Sequence, residues 1–306
     1  MQSGKVLSGQ RHVLSRKSSE FPEALQRIPE PPDRLYVVGD PAALQEGLAV
    51  VGARKATPYG LSSASHFAGI ASESGIVIIS GGARGCDAAS HRAAIDRGSK
   101  TVVFLGGGCD ELYPLENAGL FQEVIDCGGA IVSEQDWSVP PLGFMFRRRN
   151  RLIAGLAKAT LIVEAGLPSG TFSTADEALA ANKEVLVVPG AITSKQSRGA
   201  NRLIYQGATP IVDDETFHDQ VFSIFGRMTD AGSSKAKDCL GSADKGNSLL
   251  EALQAEQLTV DQMLSLANEA HNGKDPRKWL MMWLASAQKE GIIAKYPNGR
   301  YGAVVQ

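Results

Sequence analysis

The sequence predicts an α/β protein with a doubly wound, mostly parallel sheet, followed by a smaller winged-helix-like domain. From Ala49 to about Val212, short β-branched runs alternate with stretches that are rich in alanine and charge. The runs are almost continuously apolar, as in strands that are buried on both faces of a parallel sheet. Repeated strand and helix units of this kind form an open sheet that is covered by helices on both sides.

The predicted strands follow one another at regular intervals along the chain. They are LAVV (48–51), IVIIS (76–80), TVVFL (101–105), AIVSE (130–134), TLIVE (160–164), VLVVP (185–189) and PIV (210–212). The helices predicted between them include DAASHRAAIDRG, LENAGLFQEVIDCG and FSTADEALAAN, each ending near glycine or asparagine. Residues 1–48 are predicted as a lead-in, in which the proline-punctuated segment Phe21–Asp40 forms turns and a short extended piece at Leu35–Val38.

A change of composition near residue 229 predicts the boundary of the α/β domain, which then spans 49–228. Thr229–Gly246 is rich in serine, glycine, alanine and charge, as linkers are. The remaining segment, 247–306, has three helical patterns and then two extended runs around Asn298-Gly299, a strong hairpin signal. This order predicts a winged-helix-like, separable domain, with Lys274, Arg277 and Lys278 at the start of its third helix.

Composition limits the classes of partner and the compartment. The 306 residues carry 31 Lys+Arg against 33 Asp+Glu, a formal net charge of -2, so a polyanion must be met by a local basic patch. The four cysteines are far apart and form no C-x-x-C pair, which favours reduced thiols over zinc sites or disulfides. With no apolar run long enough for a signal peptide or a membrane span, we predict a cytoplasmic protein without a membrane partner.

Four predicted strands lead directly into turns of glycine and small residues. These turns are Gly52–Lys55 (GARK), Ser80–Gly85 (SGGARG), Gly106–Gly108 and Pro168–Thr171 (PSGT). In a parallel sheet they share the carboxyl edge, where helix N-termini offer N–H groups to phosphate. Glycine in such turns can also serve the backbone alone, but two of the turns carry an arginine that the backbone does not require.

Several other nucleotide-binding and catalytic motifs are absent from the sequence. It contains no G-x-x-x-x-G-K-[ST], no G-x-G-x-x-G after a strand and no G-x-S-x-G. ATPase, dinucleotide-enzyme and serine-hydrolase functions are therefore disfavoured.

Two windows of the sequence contain basic residues and no acid. Between Asp136 and Glu164 lie five cations beside Phe144 and Phe146, and Val185–Val212 contains three more cations. The cations are Arg147, Arg148, Arg149, Arg151 and Lys158, then Lys195, Arg198 and Arg202. Cations next to aromatic rings are typical of single-stranded nucleic acid binding, while a solvated basic helix start is the simpler alternative.

The motifs also resemble a known family in order and spacing. They are VVGARKATPYG, IISGGARGCDAASHRAAIDRG, VVFLGGGCDELYPLEN, SEQ, RRRNRLIAGLAKATLIVEA, SGTFSTADEALAANKEVLVVPG and SRGANRLIYQGATPIV. Over Phe21–Val212 this series is similar to the DNA-processing protein A (DprA/Smf) family, in which a winged-helix tail also occurs. The resemblance implies an extended Rossmann-like fold that binds single-stranded DNA irrespective of sequence and dimerises. It also implies a role in DNA processing, natural transformation or recombination, in which the protein helps to load RecA recombinase.

By motif position, the resemblance places DNA contacts on Arg54, Arg84, Arg149–Arg151 and Ser169–Thr171. Lys195 and Arg202 are weaker assignments that depend on the second acid-free window. The full predicted DNA- and phosphate-binding set is Gly52, Arg54, Lys55, Gly82, Arg84, Gly85, Arg147, Arg149, Asn150, Arg151, Ser169, Gly170, Thr171, Lys195 and Arg202. We expect Arg54 and Arg149 at an exposed edge, and predict no cofactor and no metal. Ala53 departs from the serine that is frequent in the family.

Two alternative functions remain open from the sequence. The related lysine-decarboxylase-like (LOG) nucleoside-monophosphate hydrolases use a glutamate where this chain has Thr174, and Glu177 is the best substitute. A hydroxyl cannot act as that carboxylate, so hydrolysis is disfavoured and the protein is not predicted to be an enzyme. The other alternative is a DprA-like sensor or antitoxin paired with a phosphoribosyltransferase-type effector in phage defence, suggested by a shortened N-terminus.

Three further expectations concern single features. Asp87 and His91 share a helix face, and we interpret Asp87 as a helix cap and His91 as a packed or surface residue. Asp110 and Glu111 could join Asp87 around a metal, but acids in such loops more often cap helices. The apolar strand Val185–Val188 near the end of the sheet needs cover unless it lies inside the sheet, which favours a homodimer.

Overall fold

The chain divides into two compact units, Met1–Ala231 and Gly232–Gln306. The structure, a computed structural model, describes residues 6–167 and 169–226 of the first unit. In the second unit it describes 253, 258–260, 262–264, 280, 283–284, 287, 292–295 and 301–303.

The first unit is built on a nine-stranded sheet in the order β1-β2-β6-β5-β4-β3-β7-β8-β9. Its strands are β1 (Arg11–Ser15), β2 (Arg34–Gly39), β3 (Gly47–Val51), β4 (Ile78–Ser80), β5 (Thr101–Phe104), β6 (Ala130–Ser133), β7 (Ala157–Ile162), β8 (Glu184–Val187) and β9 (Thr209–Pro210). Strands β3 to β9 are parallel, while β2 is antiparallel to β6 and β1 is antiparallel to β2. Each of the seven predicted strands is present, which confirms the α/β fold and the mostly parallel sheet.

The strand order reverses between β3 and β7. From β3 the chain winds outward through β4, β5 and β6, and it then returns to the other side of β3 to form β7, β8 and β9. The loops that follow β3 and β7 therefore leave neighbouring strands in opposite directions. A crevice opens at such a switch point, outside the carboxyl ends of the strands.

Helices cover both faces of the sheet. They are α1 (Glu23–Gln26), α2 (Pro58–Glu73), α3 (Cys86–Asp96), α4 (Ala118–Asp126), α5 (Gly143–Leu156), α6 (Thr171–Ala180), α7 (Arg198–Tyr205) and α8 (Asp214–Phe225). One apolar cluster joins the sheet to α1, α5, α6 and α7, and a second joins it to α2, α3 and α8. Helix α4 packs against β5 and β6 in a further cluster. These layers bury the strands on both sides, as their apolar sequences predict.

The start of α2 shows how the sheet edge is fixed locally. Thr57 caps the helix by accepting from the Gly60 N–H at 3.2 Å, and Pro58 occupies the first turn. The buried Glu164 carboxylate, just after β7, accepts from the Thr57 N–H and hydroxyl, both at 2.8 Å. The end of β7 and the loop after β3 are thereby held together beside the switch point.

The predicted lead-in has more regular structure than the sequence indicated, and the short helix α1 lies in the segment predicted to form turns. The extended piece predicted at Leu35–Val38 lies within β2, but the chain before it also forms β1, and both strands extend the main sheet. Only Leu14 of β1 is buried. Because an edge strand with one buried side chain has little apolar signal, its sequence did not indicate a strand.

The position of β8 removes one argument for a homodimer. Strand β8 pairs with β7 on one side and with β9 on the other. The apolar run Val185–Val188 therefore lies inside the sheet, which is the case in which it needs no further cover, and it gives no support for a homodimer.

The second unit contains the predicted hairpin strands, β10 (Ile293–Lys295) and β11 (Tyr301–Ala303), which pair antiparallel. Leu253, Leu258 and Met263 lie in an apolar cluster of that unit. The predicted turn at Asn298-Gly299, the linker Thr229–Gly246 and the cations Lys274, Arg277 and Lys278 lie outside the described residues.

In the described part of the chain, no helix combines the length and the apolar character that crossing a membrane requires. Cys86 and Cys109 are buried free thiols. Burial raises the pKa of each to about 12, so both stay protonated at neutral pH.

Candidate nucleic-acid interface

A cleft of about 730 Å³ lies at the switch point, at the carboxyl ends of β3 and β7. Its walls come from the loop after β3, the first half of α5 and the turn that opens α6. Nine of the predicted site residues line it: Gly52, Arg54, Lys55, Arg147, Arg149, Asn150, Ser169, Gly170 and Thr171. The sequence therefore indicated the edge of the sheet and nine of the 20 described residues that line the cleft.

A smaller pocket of about 170 Å³ adjoins the cleft and brings in Arg84. Arg54, Lys55 and Arg149 line both spaces. The other predicted residues, Gly82, Gly85, Arg151, Lys195 and Arg202, are not among the described residues that line either space.

Backbone geometry accounts for the two glycines that lie outside the cleft. Gly82 and Gly85 have φ angles of +66° and +76°, in the region that favours glycine. A Cβ on Gly82 would come within 2.7 Å of the Phe121 ring, and one on Gly85 within 2.2 Å of the Ala53 carbonyl oxygen. These contacts explain both glycines without a role in phosphate binding.

An arginine and two aromatic rings form a cluster on the wall of the cleft. The Arg54 guanidinium carbon lies 5.5 Å from the centroid of the Phe146 ring. The Tyr113 ring lies 5.3 Å from Phe146, inclined by 55°, and Tyr113 is half exposed. Gly106 permits this arrangement, since a Cβ there would come within 2.8 Å of Phe146. The cluster joins a cation to apolar ring surface, which suits a phosphate and an adjacent base.

Tyr113 was missed in the sequence, although a signal was present. It lies in the loop after the triple glycine, directly before Pro114. An aromatic residue in a loop at the carboxyl edge is a candidate for base stacking once the neighbouring loops carry arginines. Phe144, in contrast, is exposed and is not among the residues that line the cleft.

Arg149 is buried, so the expectation that it lies at an exposed edge was wrong. Its Nη1 donates to the Gly81 carbonyl at 2.7 Å and also to the Phe104 carbonyl. These carbonyls follow β4 and end β5, so the guanidinium ties two strand ends together beneath the cleft. Arg54 is exposed, as expected.

Asp87 is the acidic neighbour of Arg149 and is also buried. Its carboxylate accepts from the N–H groups of Gly81 at 3.2 Å and Ala83 at 3.3 Å. The cap position of α3 is Gly85, so the interpretation of Asp87 as a helix cap was wrong; it binds the preceding loop instead.

Burial disfavours the charged form of both side chains, so it shifts their pKa values in opposite directions. It raises the pKa of Asp87, and Arg149 opposes that rise. It lowers the pKa of Arg149 to about 10, which leaves the guanidinium charged at neutral pH. Arg149 therefore keeps its positive charge beneath the cleft, with the Asp87 carboxyl as its acidic neighbour.

Arg151 is also buried, and its Nη2 donates to a Glu134 carboxylate oxygen at 2.6 Å. Arg148 approaches the other oxygen of Glu134 at 3.5 Å. Glu134 follows β6 and stands just before the acid-free window in the sequence. Two of the four arginines in that window are therefore paired in the fold, which the window alone did not disclose.

His91 is buried and is not among the residues that line the cleft. Its Nδ1 lies 2.7 Å from the Thr101 hydroxyl, which in turn donates to the Ile78 carbonyl. His91 is thus a packed residue, one of the two possibilities that the sequence left open.

We expect His91 to make the folded protein less stable as the pH falls. Burial and the charge of Arg149 lower its pKa to about 3. The unfolded chain takes up this proton near pH 6.5 and the folded chain only near pH 3, so acid favours unfolding between these values. The free energy of unfolding should fall by up to about 1.4 kcal/mol per pH unit from this group. Urea unfolding of the protein and of His91→Gln at pH 7.5 and 5.5, conditions on either side of about 6.5, measures the difference. An equal slope in both proteins would contradict the assignment.

The hydrolase alternative gains no support from the site. Thr174 is buried and lines the cleft at the position of the LOG glutamate. Glu177, the substitute suggested by the sequence, is not among the described residues that line the cleft. Burial raises the pKa of Glu177, and Arg151 opposes the rise.

Two of the three acids considered as metal ligands have other partners in the structure. Asp110 forms an ion pair with Arg11, and Asp87 binds loop N–H groups. Within the described ranges, no three His, Cys, Asp or Glu side chains are grouped closely enough to hold a metal ion.

Glu116 forms an ion pair with Arg84 at the edge of the smaller pocket. The two exposed side chains form a bidentate ion pair. We expect Glu116→Gln to release Arg84 and to raise the affinity for single-stranded DNA slightly, because an ion pair between exposed side chains is weak. Glu123→Gln, which removes the acid paired with Arg92 on α3, is the matched control. Equal gains in both variants, measured by anisotropy titration, would show that only net charge matters.

Comparisons with known proteins agree with this architecture. The family model of the DNA recombination-mediator protein A matches residues 12–222. Protein Smf of Escherichia coli K12 is 38% identical over 205 residues, which cover 67% of this chain and 55% of that protein. The DNA processing protein DprA of Bacillus subtilis is 33% identical over 212 residues, covering 69% and 71%. The chain spans about half the length of the first curated relatives that it matches.

Two solved structures share the fold. DprA from Streptococcus pneumoniae is 32% identical and superposes with a TM-score of 0.64 over 70% of this chain and 74% of its own. DprA from Helicobacter pylori, whose structure describes a single-stranded DNA binding mode, is 29% identical with a TM-score of 0.63, over 70% and 97%. Because the family match runs from β1 into α8, through every element that forms the cleft, the chain belongs to the DNA recombination-mediator protein A family.

Proposed function

We propose that this protein binds single-stranded DNA at the cleft, without sequence preference, and acts in DNA processing during transformation or recombination. The observation that carries the proposal is the cluster of exposed Arg54 against Phe146 and Tyr113 at the switch point. Its relatives named for DNA processing, and the DNA-binding mode described for the Helicobacter pylori protein, support the same function.

The charges around the cleft favour a polyanion. Arg54, Lys55 and Arg147 are exposed, and none of them forms an ion pair with a described residue. Asp87 is the only acid among the described lining residues, and it is buried beside Arg149. At the opposite edge of the sheet, Lys100, Lys183 and Arg97 are each paired with an acid: Asp40, Glu46 and Glu73 respectively. The three unpaired cations of the cleft thus contrast with the paired cations at the opposite edge.

The rings favour a single strand over a duplex. A base can lie against Tyr113 or Phe146 only when it has left a base stack, which costs a duplex several kcal/mol. The cations address phosphates, which are the same at every nucleotide. Binding should therefore depend on strandedness and salt but little on sequence.

Titration of labelled oligonucleotides of one length tests the proposal. Single strands of thymidine, of adenosine and of mixed sequence should bind with similar affinity, and the matching duplex should bind more weakly. Affinity should fall steeply with salt, since each phosphate contact contributes about 0.7 to the logarithmic slope. Equal affinity for duplex and single strand, or no salt dependence, would overturn the proposal.

We also propose that the protein acts by binding rather than by hydrolysis. Thr174 stands where a LOG hydrolase has its glutamate, and a hydroxyl does not replace that carboxylate. Incubation with nucleoside monophosphates should release no free base. Release of base that Glu177→Gln abolishes would restore the hydrolase alternative.

We also propose that the protein forms a homodimer, that its protein partner is RecA recombinase or a phosphoribosyltransferase-type effector, and that it is cytoplasmic. Light scattering of the full chain at micromolar concentration distinguishes a dimer from a monomer.

A further inference from the structure

The outer face of α7 carries a stripe of basic and aromatic side chains. The helix packs on the sheet through Ala200 and Leu203, which are buried. Arg198, Arg202 and Tyr205 follow at positions i, i+4 and i+7, on one face, and all three are exposed. We call these three residues the α7 stripe.

The α7 stripe has no structural role that explains its charge. Neither of its arginines forms an ion pair with a described residue, and the chain from Val185 to Val212 contains no acid. Two arginines at i and i+4 repel one another and weaken the helix. The Arg202 guanidinium lies 5.1 Å from the ring centroid of Tyr205, whose side chain is 80% exposed. A polyanion would relieve the repulsion and leave ring surface for a base.

The start of α7 is fastened to the edge of the cleft. The N–H groups of Gly199 and Ala200 donate to the Ala165 carbonyl, just after β7, at 2.7 and 3.2 Å. A Cβ on Gly199 would come within 2.6 Å of that oxygen, so only glycine permits this approach. Gly166, which follows Ala165, lines the cleft, and so does Gln196, which lies two residues before the start of α7.

The helix is also held at its middle. The Asn201 side chain accepts from the Gly190 N–H at 3.1 Å and donates to the Gly190 carbonyl at 2.8 Å. The orientation of the α7 stripe relative to the cleft is therefore set by hydrogen bonds at both places. A single strand of DNA that leaves the cleft near Gln196 would therefore pass exposed Lys195 and then the α7 stripe.

We propose that the α7 stripe is a second binding segment for the same DNA strand, which extends the cleft along the surface. Lys195, Arg198 and Arg202 contact successive phosphates, and an unstacked base lies on Tyr205. The proposal depends on the function proposed above, because it places the strand in the cleft first. It commits to single-stranded nucleic acid, since an acidic protein surface would leave the exposed ring unexplained.

Binding of a short and of a long oligonucleotide distinguishes the cleft from the α7 stripe, because only the long one can reach both. We compare thymidine strands of about 4 and about 16 nucleotides, the limits of the usual range of single-strand site sizes. The double variant Arg198→Gln/Arg202→Gln should bind the short strand as the unmodified protein does. For the long strand, its logarithmic salt slope should fall by about 1.4, the value expected for two lost phosphate contacts.

Two further variants make the result specific. Arg27→Gln/Arg92→Gln removes the same charge from arginines that are already paired with Glu23 and Glu123, and should leave both slopes unchanged. Tyr205→Ala should weaken binding of the long strand about tenfold, as expected for one lost stacking contact, and spare the short strand.

The outcomes distinguish this proposal from the function on which it depends. One outcome is that Arg54→Ala weakens binding of both oligonucleotides, while neither α7 variant changes binding of the long one relative to the control. In that case the α7 stripe does not bind DNA and the cleft still does. If the α7 variants weaken both lengths equally, or weaken duplex as much as single strand, the second segment is also overturned. If Arg54→Ala changes neither strand, the function proposed for the cleft fails instead.

Discussion

Replacing Arg149 by alanine should lower the free energy of unfolding by about 3–5 kcal/mol, the cost expected when a buried charge loses the opposite charge near it. The change removes the donor that serves the carbonyls of Gly81 and Phe104, and it leaves the Asp87 carboxylate buried without its cation. Chemical denaturation of the full chain measures the loss. Asp87→Asn in the Arg149→Ala background should recover part of it, because the unpaired charge is then gone.

Arg147→Ala is the control for this experiment. Arg147 lies two residues earlier on the same helix, is exposed, and lines the same cleft. Its replacement should change stability by no more than about 0.5 kcal/mol while weakening DNA binding. If Arg149→Ala instead keeps full stability and loses only DNA binding, Arg149 is a direct contact, as its sequence position first suggested.

Replacing Arg54 by alanine should weaken single-stranded DNA binding about tenfold or more and leave stability nearly unchanged. A hydrogen bond to a charged group contributes about 1.5–3 kcal/mol, and tenfold corresponds to about 1.4 kcal/mol. The side chain is exposed, and its guanidinium group lies over the Phe146 ring. Because phosphate is the target, the loss should be the same for strands of any sequence. Anisotropy titration at fixed salt gives the ratio.

The matched control for Arg54 is Arg27→Ala on α1. Arg27 is exposed and is already paired with Glu23. It should reduce affinity only slightly, through net charge. Similar losses in the two variants would mean that the cleft has no special part in binding.

The sheet and the site edge could be predicted because their signals are local. Fully buried strands such as β3 and β5 have almost continuously apolar sequences, and a glycine-rich turn after a strand marks the carboxyl edge. Ser169–Thr171, which opens α6, and Gly52–Lys55 line the cleft because both loops start at the switch point. Strand order depends on pairing between distant segments, so the crevice itself could be inferred only from the repeated strand and helix units.

The roles of individual cations could not be predicted from their positions in the sequence. Arg147, Arg149 and Arg151 are alternate residues of one run, yet Arg147 is exposed, Arg149 is buried under the cleft and Arg151 is paired with Glu134. Helical rotation separates them, and the groups that neutralise them come from other strands. Tyr113 joins Phe146 through contacts across 33 residues of chain, a separation visible only in the fold.

Photocrosslinking tests most directly whether a single strand occupies the cleft. A strand of bromouracil nucleotides is bound to the full chain and irradiated, and the linked peptide is identified by mass spectrometry. We expect the crosslink on Tyr113 or Phe146, weakened by Arg54→Ala and absent with the matching duplex. Crosslinks found only on residues that do not line the cleft would contradict the account.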